Sequence, residues 1–207
     1  MNAFDKKHPC ESLGNFTCAV AGTLVHTNNG LVPIERLKIG DLVLSQSEEN
    51  GDAEFKRVIR TSSYDDRELF LMEYFLPDEM NAHHLVVTGN HRFWVEEEGW
   101  TVVDYLDPGQ TLQIADGGPA IVYKVRKILN TETRNVGWTS DDPSSPGPLI
   151  DLRDDKISVS KTLSTEEIYN PEAFDVEDNY FRSKVFNIEV EDFHTYFIGE
   201  AGIWAHD

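Results

Sequence analysis

The sequence has few cysteines, few basic residues and no long apolar run. Only two of its 207 residues are cysteine, which is too few for a disulfide scaffold or a four-cysteine zinc site. Lys and Arg total 18 against 37 Asp and Glu, a net charge of −19. Because so acidic a chain repels phosphate groups, neither nucleic acid nor an anionic membrane is expected as a partner.

Two kinds of targeting segment are also missing from the sequence. No stretch reaches the ~18 apolar residues of a membrane span, and residues 1–7 lack the apolar core of a signal peptide. Hydrophobic residues make up 40% and aromatic residues 11% of the chain, so a folded core is expected. The length suits one domain, or one domain that carries a large insertion.

Strand signals dominate the chain. Residues 23–27 and 31–34 flank Asn28-Asn29-Gly30, which is typical of a hairpin turn. Residues 55–61 and 69–75 are predicted to form a longer hairpin around a polar tip at 62–67. Further short β-rich runs occur at 42–45, 85–88, 93–95, 100–103, 111–114, 120–129, 185–190, 194–198 and 203–205. Helix is limited to single turns at 35–38 and 104–106, so the sequence predicts an all-β fold.

One segment, from about residue 135 to residue 182, is rich in Ser, Pro, Gly and Asp. Residues 141–148 contain three prolines, which lack a donor N–H, so they are not expected to pair as a strand. Residues 164–169 have the capping-box pattern of a helix start. We interpret the segment as a solvated acidic insertion; the alternative is a docking surface for a basic partner.

Two short windows carry chemically active residues, although each alone has an ordinary structural explanation. Cys18 lies in FTCAVAGT (residues 16–23), where small apolar neighbours are typical of a buried structural cysteine. His91 ends TGNH (residues 88–91), where an incidental histidine on a surface turn would look the same. Residues 185–207 form a third window, with two strands that carry His194 and His206.

Taken together, these windows resemble the Hint superfamily, which comprises inteins, hedgehog autoprocessing domains and bacterial intein-like domains. The resemblance follows the order CAVAGT (18–23), HTNNGLVPIERLKIGDLVLS (26–45), TGNH (88–91), GWTVVDYLDPG (99–109) and VFNIEVEDFHTYFIGEAGIWAH (185–206). Each motif alone is weak, but the order and spacing of all of them are specific. The similarity is nearest to the pretoxin Hint domains of bacterial polymorphic toxins.

The resemblance implies an all-β, horseshoe-shaped Hint fold whose two ends meet at one active site. It divides the chain into a flanking leader (1–17), a first Hint segment (18–134), an acidic Pro/Ser-rich insertion (135–183) and a second Hint segment (184–207). The insertion falls near the place where inteins often carry one.

The first step that the resemblance implies is an N-to-S acyl shift. The Cys18 thiolate attacks the carbonyl of Thr17 and converts the peptide bond into a thioester. An amide is a poor electrophile with a poor leaving group, so the oxyanion needs stabilisation and the leaving amine needs a proton. His91 is the implied general acid, and Thr88 holds the scissile segment. Water then releases residues 1–17, or another nucleophile accepts them.

The second implied step is C-terminal cleavage, in which the last Asn of an intein cyclises with the help of two histidines. His194 and His206 occupy the histidine positions, but position 207 is Asp. A carboxylate lacks the amide nitrogen that forms a succinimide. Cleavage at Asp207 is therefore expected to be impaired, or else the sequence given stops there, and splicing is not expected.

A further departure is Asn187, which stands where many inteins have an Asp that activates the nucleophile. Asp192 is close in the sequence and is the candidate substitute. Cys10 and Cys18 are expected to be free thiols, although a bridge between them is conceivable. His83 and His84 are adjacent and point to opposite faces of a strand, so they are not expected to share a metal ion.

The expected activity is single-turnover, cysteine-dependent self-cleavage without a metal or a cofactor. The substrate is the chain's own flanking polypeptide, and a fused toxin domain and its immunity protein are further expected partners. The protein is expected to belong to a secreted or surface-delivered bacterial protein. Two alternatives are a catalytically weak Hint scaffold that links a toxin to its carrier, and a conventional cysteine hydrolase. The latter is disfavoured because Cys18 stands at the start of the domain.

Overall fold

The computed structural model describes residues 17–142, 145–153, 156–160 and 179–207. Within these ranges the chain consists of short strands and two single turns of 3-10 helix, which confirms the prediction of an all-β fold. No helix in these ranges is long and apolar enough to cross a membrane. The leader up to residue 16, Cys10 and the helix start predicted at 164–169 lie outside the described residues.

The strands follow the chain closely. The first half contains β1 (Ala19–Val20), β2 (Leu24–Thr27), β3 (Gly30–Pro33), β4 (Leu42–Gln46), β5 (Ala53–Glu68), β6 (Phe70–Phe75), β7 (His83–Val87), β8 (Arg92–Val95) and β9 (Gly99–Val102). The second half contains β10 (Thr111–Gln113), β11 (Pro119–Lys127), β12 (Leu129–Asn130), β13 (Val136–Asp142), β14 (Ser145–Asp151), β15 (Ser158–Ser160), β16 (Arg182–Val190), β17 (Thr195–Ile198) and β18 (Ile203–His206). The 3-10 turns are η1 (Ile34–Arg36) and η2 (Val103–Tyr105), close to the two single turns predicted.

Fourteen strands form one large antiparallel sheet. Their order is β10-β11-β6-β7-β1-β16-β5-β4-β2-β17-β18-β8-β9, with β3 paired to β2. A pairing of Leu112 in β10 with Val95 in β8 joins two distant parts of this order, so the sheet closes on itself. β1 and β18, which are far apart in the sequence, therefore belong to the same closed structure.

The hairpin of β2 and β3 forms as the sequence predicted. Thr27 pairs with Gly30, so Asn28 and Asn29 make up a two-residue loop. Gly30 has a φ of +94°, which glycine adopts without the steric penalty of a Cβ atom.

The long hairpin predicted around residues 62–67 is wrong. β5 runs straight through this polar tip, from Ala53 to Glu68, and pairs with β4 on one side and β16 on the other. Residues 58–68 find their backbone partners in 182–190, more than a hundred residues along the chain. Local polarity indicated a turn because these side chains are mostly exposed, whereas the long-range pairing decided the strand.

The prediction that residues 141–148 cannot pair as a strand is also wrong. β13 and β14 form an antiparallel hairpin and, with β12 and β15, make a second sheet of four strands. The pairing of Trp138 with Leu149 and that of Ser140 with Pro146 are separated by a register shift. A proline is tolerated in a strand at such an irregularity because no ladder hydrogen bond needs its missing N–H. The described part of the predicted insertion is thus a sheet, not a loop.

Two apolar clusters fill the protein. The larger one lies within the closed sheet and includes Val25, Phe93 and Ile198, each fully buried. The smaller one lies between the large sheet and the second sheet, and it contains Cys18. The candidate nucleophile is therefore at the boundary between the two sheets.

Candidate active site

The peptide bond between Thr17 and Cys18 is inside the protein. The exposed fraction is 5% for Thr17 and 0% for Cys18. β1 runs between β7 and β16, and both registers, extended by one residue, place Cys18 opposite Thr88 on one side and Asn187 on the other. Two residues from distant parts of the sequence are in this way brought to the candidate scissile bond.

Thr88 holds the backbone of Cys18 with three hydrogen bonds. The Thr88 hydroxyl accepts the Cys18 backbone N–H at 3.1 Å and donates to the Cys18 carbonyl at 3.4 Å. The Thr88 backbone N–H donates to the same carbonyl at 3.0 Å. A hydroxyl has one proton and two lone pairs, so it makes both of its bonds at once. The nitrogen held by this hydroxyl belongs to the scissile amide.

His91 is positioned by the tight turn that follows β7. Its backbone N–H donates to the Thr88 carbonyl at 3.0 Å. Gly89, inside this turn, lies so close to Phe70 that an added Cβ would stand 2.6 Å from the ring. The approach of the turn to the core therefore needs glycine at this position.

The His91 ring is fully buried, and neither ring nitrogen has a hydrogen-bond partner among the described residues. Burial, and to a smaller extent the charge of His206, lowers the pKa of His91 to about 3. The imidazole is therefore neutral near neutral pH, with one nitrogen available to accept a proton.

The thiol of Cys18 is neutral as well. Burial raises the pKa of Cys18 to about 12, although the charge of Arg67 acts in the opposite direction. A thiol with this pKa keeps its proton near neutral pH. The resting site therefore pairs a protonated thiol with a neutral imidazole, and not a thiolate with an imidazolium.

Tyr196 is a site residue that the sequence analysis missed. Its ring is fully buried and packs edge-on against His91 with 6.4 Å between centroids. Its hydroxyl has no hydrogen-bond partner among the described residues, and burial, together with the charges of Cys18 and Asp207, raises its pKa. Its place in a strand between His194 and His206 was the available signal.

The C-terminal residue is anchored at the end of β16. The Asp207 side chain is 7% exposed, and its Oδ2 accepts the Val190 backbone N–H at 2.7 Å. The same oxygen lies 3.4 Å from Nδ1 of His194, and the Asp207 backbone N–H donates to the His194 carbonyl at 2.9 Å. Burial raises the pKa of the Asp207 carboxyl, and these contacts oppose the rise without cancelling it.

His206 faces the same residue from the other side. Its Nδ1 is 2.9 Å from the Asp207 backbone oxygen, and its ring packs edge-on against Trp100 with 5.2 Å between centroids. The structure therefore brings His194, His206 and Asp207 together, as the resemblance implied. Tyr196 packs against His91 and so connects these residues with the turn that carries Thr88 and His91.

The two candidates named for activating the nucleophile differ in position. Asn187 faces the strand of Cys18, and its side-chain oxygen is buried without a hydrogen-bond partner among the described residues. Asp192 lies on an exposed turn with a φ of +65° and pairs with Lys56 at 3.2 Å. Asp192 thus pairs with Lys56 at an exposed turn, whereas Asn187 lies opposite Cys18 in the sheet.

The described residues contain no group of three or more His, Cys, Asp or Glu side chains that could hold a metal ion. The site instead concentrates buried polar atoms that lack a protein partner, on Thr17, His91, Asn187 and Tyr196. Such atoms are rare in folded proteins. Thr17 belongs to the candidate scissile bond, and Asn187 lies opposite Cys18, so part of this set is at that bond.

Comparison with known proteins agrees with this arrangement. The family model of the pretoxin Hint domain matches residues 24–142. No curated protein matches the sequence significantly.

Solved structures match nearly the whole chain at low sequence identity. A bacterial intein-like domain from Clostridium thermocellum is 22% identical, with a TM-score of 0.59, over 93% of this chain and 99% of that one. The gp41-1 intein is 15% identical, with a TM-score of 0.52, over 93% and 99%. A DnaB intein from Synechocystis sp. is 15% identical, with a TM-score of 0.51, over 92% and 98%.

At these identities the structural likeness shows the fold alone, and it is the Hint fold that the ordered motifs predicted. The family match extends over more than half of the 207 residues. The chain belongs to the pretoxin Hint domain family.

Proposed function

We propose that this domain cleaves its own chain at the Thr17–Cys18 bond by an N-to-S acyl shift. The observation that carries the proposal is the hold of the Thr88 hydroxyl on the scissile amide nitrogen, 3.1 Å away, one turn from the buried ring of His91. An amide nitrogen leaves only when it is protonated. Thr88 and His91, the first and last residues of TGNH, thus hold the Cys18 backbone nitrogen and transfer a proton to it.

The proton for the leaving nitrogen comes from the thiol. His91, with a pKa of about 3, is not protonated near neutral pH and so has no proton of its own to give. It first accepts the proton of Cys18 as the sulfur attacks, and then it donates this proton to the backbone nitrogen. His91 therefore acts first as a general base towards the thiol and then as the general acid that the resemblance implies.

Bonds and protons balance in this step. A bond forms between Cys18 Sγ and the carbonyl carbon of Thr17, the bond from that carbon to the Cys18 nitrogen breaks, and the thiol proton ends on the new amine. No external acid is required. The low polarity of the pocket disfavours a standing thiolate, so the proton moves together with the attack and not before it. Water or another nucleophile then resolves the thioester and separates residues 1–17.

The C-terminal half of the reaction is impaired in this sequence. His194 and His206 hold the backbone and side chain of residue 207, but an Asp side chain has no amide nitrogen with which to form a succinimide. The domain therefore acts as a self-cleaving segment of a bacterial polymorphic toxin, secreted or delivered at the cell surface. Its substrate is its own flanking chain, and a fused toxin domain and its immunity protein are the partners.

The test is the intact mass of the purified chain with and without dithiothreitol. Loss of residues 1–17 that depends on thiol and disappears in Cys18→Ala supports the proposal. Thr88→Val keeps the shape and removes the hydroxyl, so it should slow the loss strongly. Cleavage at Thr17 that persists in Cys18→Ala would overturn the mechanism.

A catalytically weak scaffold is the second candidate function, and the high pKa of Cys18 and the Asp at position 207 favour it. A chain whose mass stays intact for days in the presence of thiol supports the scaffold. An Asp207→Asn variant extended by several residues tests whether C-terminal cleavage returns.

A further inference from the structure

The second sheet shares an apolar cluster with the candidate nucleophile. Cys18 is fully buried, and it shares one apolar cluster with Ile128, Ile150 and Phe181. Ile150 belongs to β14, while Ile128 and Phe181 precede β12 and β16, where the chain enters the second sheet and returns from it. Two members of this cluster, Ile150 and Phe181, therefore come from the segment that the sequence marked as an insertion.

Backbone hydrogen bonds attach this sheet at its base. The Ile128 N–H donates to the Leu69 carbonyl at 2.9 Å, the Phe181 N–H to the Ile128 carbonyl at 2.8 Å, and the Leu69 N–H to the Phe181 carbonyl at 3.2 Å. Three chain segments thus close a ring of bonds beside Cys18. The second sheet extends from this ring, which fixes where it is attached to the large sheet.

A charged clasp ties the sheets together away from the ring. Asp141 of β13 accepts hydrogen bonds from Arg126, at 2.8 Å to Nε, and from Lys124 of β11. Arg126 in turn bonds Glu73 of β6. Asp141 is thus the second sheet's contribution to a network whose other members lie on the large sheet. The Asp141 side chain is 44% exposed, so the clasp is weak enough to open and is screened by salt.

The contact between the two sheets is also tight at one point. Gly137 of β13 lies over the base ring, and a Cβ added there would stand 2.4 Å from Ile128 and 3.0 Å from Phe181. Only a residue without a side chain lets β13 approach this closely. The second sheet is therefore fitted to the surface above Cys18 and is not merely tethered to it.

We propose that the four-stranded sheet is a cover that excludes water from the Cys18 thiol, held closed by the clasp of Asp141 with Arg126 and Lys124. Protection of a thioester rests on the proposed function, because the thioester forms only in the acyl shift. Exclusion of water from the thiol does not depend on that function. A covered thioester is protected from hydrolysis, so it persists for longer before residues 1–17 are released. Opening the cover speeds this hydrolysis.

The experiment measures alkylation of Cys18 by iodoacetamide in a Cys10→Ser chain, followed by mass spectrometry of the Cys18 peptide. Asp141→Asn opens the clasp and should speed alkylation by about 1.4-fold to five-fold, which corresponds to the usual strength of an exposed ion pair. Gly137→Ala adds a methyl group that pushes β13 away from Ile128 and Phe181. It should speed alkylation by about 5-fold to 100-fold, which corresponds to the usual cost of overpacking. Asp151→Asn is the matched control, because Asp151 pairs with Arg153 inside the second sheet.

Equal alkylation rates in Asp141→Asn, Asp151→Asn and the parent chain would overturn the cover, even in a chain that cleaves well. Acceleration in Asp141→Asn alone, in a chain that never cleaves, would support the cover and refute the proposed function. Urea unfolding of each variant separates opening of the cover from global unfolding, and Asp141→Asn decides the question if Gly137→Ala does not fold. Where cleavage occurs, the rate at which the thioester is hydrolysed gives a second readout, and it should rise in Asp141→Asn.

Discussion

Buried polar groups in the large sheet near Cys18 and in the second sheet differ in whether they have hydrogen-bond partners. In the large sheet around Cys18, the ring nitrogens of His91, the side-chain oxygen of Asn187 and the hydroxyl of Tyr196 have no hydrogen-bond partners among the described residues. In the second sheet the buried Trp138 donates its indole N–H to the Asn130 carbonyl at 3.0 Å, and Asp141 and Asp151 form ion pairs with Arg126 and Arg153. An unpaired buried polar group costs about 1–3 kcal/mol. The large sheet thus carries a cost at the site, while the second sheet follows the ordinary rules of a stable protein.

The largest expected effect tests whether the unpaired groups of the large sheet perform chemistry. His91→Ala should slow the thiol-dependent loss of residues 1–17 by about 10²-fold to 10⁴-fold, because a positioned acid–base group contributes this much. His83→Ala is the control, since His83 lies near the surface and bonds Glu79. Time courses of intact mass measure both rates. Similar rates in His91→Ala and the parent chain would show that His91 only fills space.

A matched pair of core substitutions compares the two sheets directly. Ile150→Ala in the second sheet and Ile198→Ala in the large sheet each remove a fully buried side chain, so each should lower the free energy of unfolding by about 2–5 kcal/mol. Only Ile150→Ala should also speed alkylation of Cys18, because only Ile150 shares a cluster with it. Urea titrations and alkylation rates measure the two effects. Faster alkylation in both variants would mean that the sheets open together.

The pH dependence of stability gives a smaller effect with a definite sign. The pKa of His91 is about 3 in the folded chain and about 6.5 in an unfolded one. Between these values the unfolded chain binds a proton that the folded chain does not. The His91 contribution to the free energy of unfolding is therefore complete above about pH 6.5 and falls by about 1.4 kcal/mol for each pH unit below it.

Urea titrations at about pH 7 and about pH 5 test this slope. His91→Phe should lose much less stability between the two values than the parent chain does. Equal losses in the variant and the parent would show that His91 titrates normally in the fold, which contradicts its burial.

The smallest expected effect concerns Tyr196. Because its buried hydroxyl has no hydrogen-bond partner among the described residues, Tyr196→Phe should raise the free energy of unfolding by about 1 kcal/mol. Tyr123→Phe, at a residue that is 51% exposed, should leave stability unchanged. Thermal unfolding followed by circular dichroism measures both. A loss of stability in Tyr196→Phe would show that the hydroxyl is satisfied, and the contrast between the two sheets would weaken.

Local patterns predicted the parts of the fold that local physics decides. The turn at Asn28 and Asn29 and the single turns near residues 35 and 104 form where expected, because each depends on neighbouring residues. The errors at 62–67 and 141–148 have one common cause. Both segments look polar or broken by themselves, yet each finds backbone partners in another strand, and for 62–67 that strand is β16.

The candidate site shows the same division. Cys18, Thr88, His91, His194, His206 and Asp207 were named from motifs, because the order of the motifs is a property of the sequence. Tyr196 was missed because a tyrosine in a buried strand looks like any core residue. Asp192 was named for its nearness in sequence, whereas the structure pairs it with Lys56 at an exposed turn.

By itself, the sequence determined the all-β class, the family and the residue types available for self-cleavage, since composition, turn chemistry and motif order do not depend on distant contacts. Only the tertiary structure decided that the acidic segment folds as a sheet against Cys18. It also decided that the Cys18 thiol and the His91 imidazole are both uncharged near neutral pH. Both follow from burial, and burial is set by which strands meet in space and not by which residues are neighbours in the chain.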